Sequence, residues 1–96
     1  MKFEWDPDKE QANIAKHGIS FDEAAEALSG FTIERVDDRF DYGEVRDITL
    51  GMTNNLVVVV VVHTDRAGVC RIISARHANR AERKVYDKAF RSATHH

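Results

Sequence analysis

The sequence predicts an α+β domain of order β-α-α-β-β-β-β-α, an antiparallel sheet with helices packed against it. Three observations carry this expectation. Two helix-start signatures come early, Asp6-Pro7 and Ser20-Phe21-Asp22-Glu23. Extended segments then follow at short spacing, the most apolar holding six consecutive valines at 57–62. A basic amphipathic stretch after Asn79 closes the chain.

Each element has a local cause. Lys2 to Trp5 alternates, with Phe3 and Trp5 on one face, and reads as a short strand. Asp6 is a good N-cap, Pro7 suits the first helical position and Gly18 a helix stop, which predicts a helix over Pro7 to His17. Its apolar face is thin, Ala12, Ile14 and Ala15, so Lys9, Asn13, Lys16 and His17 are expected on an exposed helix. Ser20 and Glu23 form a capping box ahead of Phe21, Ala24, Ala25 and Leu28. Four extended segments follow, Phe31 to Val36, Val45 to Met52, Leu56 to Thr64 and Val69 to His77, and the short turns between the later ones favour antiparallel hairpins. The valine run is apolar on both faces, which places it centrally. It is too short to span a membrane, and its β-branched residues favour a strand. Asn79 with Glu82 opens the last helix, whose expected buried stripe is Ala81, Val85, Ala89 and Phe90.

At 96 residues the chain is read as one domain, 1–94, with His95 and His96 as a tail or purification remnant. Residues 1 to 62 carry 6 Lys and Arg against 13 Asp and Glu, net −7, while residues 63 to 96 carry 8 against 3, net +5. The total of −2 conceals a dipole that can attract a polyanion. The single cysteine, Cys70, excludes an internal disulfide and reads as a small core residue. The N-terminus has no apolar secretion signal, so a cytoplasmic protein without membrane contact is expected. His17, His63 and His77 fall on different elements without metal-ligand spacing, and the five glycines stand singly, so neither a metal, a cofactor nor a phosphate-cradling loop is expected.

Several segments together resemble the BrnT toxins of type II toxin–antitoxin pairs, small ribonucleases with a RelE-like fold. They are Phe3-Glu4-Trp5-Asp6 with Lys9, Asn13 and Lys16-His17-Gly18, then Ser20-Phe21 with Glu23-Ala24, Leu50-Gly51-Met52-Thr53, and the valine strand closed by Thr64-Asp65-Arg66. Arg71 to Arg76 with Glu82-Arg83 and Tyr86 complete the set. The resemblance implies a toxin that cleaves RNA and so inhibits translation and growth. It also implies a BrnA-like ribbon-helix-helix antitoxin that neutralises the toxin and carries it to operator DNA.

RNA cleavage by 2′-OH attack needs a proton acceptor, a proton donor for the leaving 5′ oxygen, and positive charge on the phosphate. Candidates for the chemistry are Lys16, His17, Arg76, Glu82 and Tyr86. Candidates for phosphate contact are Lys9, Arg66, Arg71, Arg80 and Arg83, because guanidinium and ammonium groups bind phosphate directly. Strand alternation puts Ser74 and Arg76 on one face and Arg71 on the other unless a bulge intervenes. Each candidate also has a plain structural role open to it: dipole complement for Lys16 and His17, cap for Glu82, core ring for Tyr86. A rival from another class is a non-catalytic module that docks an antitoxin or nucleic acid as a co-repressor.

Overall fold

The computed structural model describes residues 1–38 and 43–94. The tail at 95–96 and the middle of the connection expected at 37–44 lie outside the described residues. Chain order is β1 (Lys2–Glu4), α1 (Pro7–His17), α2 (Phe21–Ser29), β2 (Ile33–Asp37), β3 (Arg46–Met52), β4 (Val58–Arg66), β5 (Val69–His77) and α3 (Arg80–Thr94), as predicted. No helix is long and apolar enough to cross a membrane.

The helix starts form where the local chemistry demands. Asp8 N donates to the Asp6 carboxylate at 2.8 Å, and Gly18 ends α1 with a left-handed φ of 73°. Ser20 and Glu23 exchange backbone-to-side-chain bonds at 3.1 Å, and Asn79 and Glu82 do so at 2.8 Å. These reciprocal bonds satisfy amides that the first helical turn leaves without partners.

The strands order as β1-β5-β4-β3-β2. Strands β2 to β5 are antiparallel, and β1 adds to β5 in parallel, so the sheet is mixed. A parallel neighbour cannot be joined by a hairpin, and here the two strands are separated by most of the chain. Between β4 and β5 the two-residue turn Ala67-Gly68 has φ of 52° and 83°, the positive pair that matches strand twist in a tight hairpin.

The valine run divides between two cores. Val59 and Val61 face Ile19, Phe21, Ala24, Ala27, Ile72 and Ala75, whereas Val58 and Val60 face Ala78 and Tyr86. On the first face α2 lies so close to β3 that a Cβ on Gly51 would stand 2.4 Å from the Ala27 carbonyl oxygen. Only glycine fits there, because the obstructing atom is backbone.

Two helices pack differently from expectation. The buried residue of α1 is Asn13, only 7% exposed, while Ile14 is largely outward. The cause is the short reach of β1, which pairs only with 69–71 and leaves the rest of the β5 edge without a strand neighbour. Buried backbone polar groups need partners, and Asn13 supplies them at Ala75. In α3, Tyr86 is buried while Val85 is 55% exposed, and Phe31 sits edge-on to both Tyr86 and Phe90. The Tyr86 ring, stacked on Phe90 of the expected stripe, takes the buried place that Val85 was expected to fill.

Candidate nucleic-acid interface

The arginines of β5 are arranged by a bulge. Val60 pairs with Arg76 and Val62 with Ser74, but His63 pairs with Ile72 and Thr64 with Arg71, so Ile73 is an extra residue in β5. Alternate β4 residues share a face, and their partners share it with them. Arg71, Ser74 and Arg76 therefore lie together on the α3 side of the sheet.

Alongside the same strand, α1 forms the opposite wall of a groove of about 220 Å³, lined by Lys9, Asn13, Lys16, His17, Ile73 and Ser74. Asn13 fixes this wall. Its Nδ2 donates to Ala75 O at 2.8 Å and to Ile19 O at 2.9 Å, while Ala75 N donates to its Oδ1 at 3.0 Å. The amide thus acts as one residue of a missing strand. Lys16 and His17 stand in the last turn of α1, where cations complement the helix dipole.

The other predicted residues have partners of their own. Arg76, 45% exposed, meets Glu82 in a two-pronged pair at 2.8 and 2.9 Å, and its Nη1 also donates to His77 O at 3.2 Å. Arg71 lies 3.7 Å from Glu4, Arg66 lies 3.1 Å from Glu44, and Arg83 donates to Ala78 O at 3.3 Å. Arg80 is exposed on the first turn of α3.

Two expectations change as a result. Tyr86 is a core residue: its hydroxyl donates to Phe31 O at 2.9 Å, and burial pushes the phenol pKa up, which disfavours it as a proton carrier. Glu82 is a cap and an ion-pair partner rather than a free base. The hydrogen bond from Arg76 holds its carboxyl down at about 2, with burial opposing and the Asn79 amide assisting. Glu82 is thus ionised at neutral pH and a poor acceptor for a proton from RNA.

The Glu82 carboxyl is more acidic folded than its ordinary 4.5, so its stabilising contribution is complete above that pH and is lost as pH falls toward about 2. Wild type should therefore exceed Glu82→Gln in Tm at neutral pH, with the gap closing through the acid window. Melting curves recorded down the pH scale check this. A gap that stays constant to the acid end would remove the ion pair from the account.

The structure thus brings Lys9, Lys16 and His17 together beside Ser74, sets Arg71 and Arg76 on the adjoining face, and places Tyr86 apart in the interior. Sequence reasoning missed Asn13 as the residue that positions the groove. Its signal was faint: one amide side chain on a helix with little apolar surface.

A mixed five-stranded sheet with three helices, and a cation-lined groove at its edge, makes this chain a small α+β protein with a candidate polyanion-binding face. Comparison with solved structures supports that class. The crystal structure of the Brucella abortus ribonuclease toxin BrnT matches with a TM-score of 0.62 and 30% sequence identity, covering 83% of this chain and 99% of that one. The family model for the ribonuclease toxin BrnT of type II toxin–antitoxin systems matches residues 5–82. The chain belongs to the BrnT family. Comparison with curated proteins gives no match.

Proposed function

We propose that this chain is a metal-independent endoribonuclease that cleaves RNA in the cytoplasm, inhibiting translation and growth, and that a ribbon-helix-helix antitoxin neutralises it. The observation that carries the reading is the α1–β5 groove, where two lysines and a histidine converge on a bulged strand. Lys9 and Lys16 supply positive charge to a scissile phosphate, which stabilises the dianionic transition state without a metal ion. His17 accepts the 2′-OH proton or returns one to the 5′ oxygen. Arg71, Arg80 and Arg83 hold the flanking RNA backbone. Arg76 contributes charge from within its pair with Glu82, which fixes the guanidinium in one orientation.

The test is direct. RNA incubated with the purified chain under metal chelation, with and without ribosomes, should be cut to leave 2′,3′-cyclic phosphate and 5′-hydroxyl ends. Induced expression should arrest growth, and co-expression of the antitoxin should relieve it. Intact RNA across all substrates would overturn the proposal in favour of a binding module.

A further inference from the structure

On the sheet face opposite Arg71 and Arg76, three strands bring one imidazole and two carboxylates together. Asp47 of β3 and His63 of β4 are direct cross-strand partners, and Glu34 of β2 reaches the same point from the edge. One ligand atom from each lies within 4.8 Å of the others. A metal ion with nitrogen and oxygen ligands at about 2.0–2.2 Å holds them no more than roughly 4 Å apart, so small side-chain rotations close the set. We infer that Glu34, Asp47 and His63 bind a divalent first-row transition metal ion, of the Zn²⁺ or Mn²⁺ type.

Three independent features support this beyond the convergence of the ligands. The His63 ring is already oriented: its Nε2 lies 2.7 Å from the hydroxyl of Thr49, a residue 2% exposed. The three groups also line a cavity of about 270 Å³ with Thr49, Asp65 and Cys70, ample for an ion and its waters. Finally, among the described residues no lysine or arginine forms an ion pair with Glu34, Asp47 or Asp65. A divalent cation complements these carboxylates, whereas a polyanion such as RNA would be repelled.

Imidazole with two carboxylates is a mixed nitrogen and oxygen set, which suits zinc or manganese better than the all-oxygen preference of calcium or magnesium. The consequence is structural. The ion ties the edge strand β2 to β3 and β4, on the face of the sheet opposite Arg71 and Arg76. The inference is therefore independent of the ribonuclease reading, since its readout involves no RNA.

The experiment uses the full chain stripped of metal, with His95→Ala and His96→Ala so that the terminal pair does not compete. Zn²⁺ and Mn²⁺ are titrated separately by calorimetry, and Tm is followed in parallel. The expected result is one equivalent of at least one ion bound, with a rise in Tm of several degrees. Glu34→Gln, Asp47→Asn and His63→Asn should each weaken binding by on the order of tenfold or more. The two carboxylate variants carry a further signature: relief of like-charge repulsion should raise the metal-free Tm while the metal-induced rise disappears. A purely structural carboxylate would lower it. Absence of both heat and Tm shift with either ion in excess would overturn the inference, as would binding that none of the three substitutions weakens.

Discussion

Asn13→Ala should be among the most damaging single substitutions in this chain. The wild-type amide is buried and meets three backbone groups, the Ala75 N–H and the carbonyls of Ala75 and Ile19. Alanine leaves all three without a protein partner, and each stranded buried group costs about 1–3 kcal/mol, so a loss of roughly 3–5 kcal/mol is expected. A domain of this size holds only about 5–15 kcal/mol in total. At about 4–8 °C per kcal/mol, Tm should fall by well over ~10 °C. Asn13→Asp is the informative companion. It keeps an acceptor for Ala75 N–H but loses both donated bonds and sets a carboxylate against two carbonyl oxygens, so it should rescue little. Thermal and urea unfolding of the two variants check this. A loss below ~1 kcal/mol for alanine would show that water or local repacking replaces the amide, and that the anchor is dispensable.

His17→Ala should remove most of the cleavage proposed for the groove. Positioned proton transfer contributes typically about 10²–10⁴-fold to rate, and kcat/KM should fall within that range. The side chain is half-exposed and its helix is anchored through Asn13, so Tm should hardly change. Lys16→Ala provides the contrast. Loss of charge at the phosphate weakens both binding and turnover, and its deficit should shrink with added salt because exposed charge is screened. Measuring both variants on one RNA, with Tm alongside, separates chemistry from folding. If His17→Ala cleaves within about threefold of wild type, His17 is not the proton carrier, and the role passes to Lys16 or to a group outside this groove.

The same comparison bears on the arginines. The sequence offers Arg76 as a candidate for the chemistry. In the structure its guanidinium is engaged by Glu82, whereas Lys16 and His17 line the groove beside α1. Glu82 was legible as a cap from its spacing to Asn79, and it is one. That it also holds Arg76 depends on where α3 begins relative to the last residues of β5.

Helix starts, the central valine strand and the order of elements were determined by the sequence alone, because their causes lie within a few residues. A capping box closes on itself across three positions, and a run of β-branched residues favours extended backbone wherever it lies. The parallel addition of β1, the extra residue at Ile73, the burial of Asn13 and the meeting of Glu34, Asp47 and His63 were decided only by tertiary structure. Each depends on register between strands far apart in the chain. A shift of one residue turns a side chain to the opposite face, and no local pattern fixes that choice until the sheet has formed.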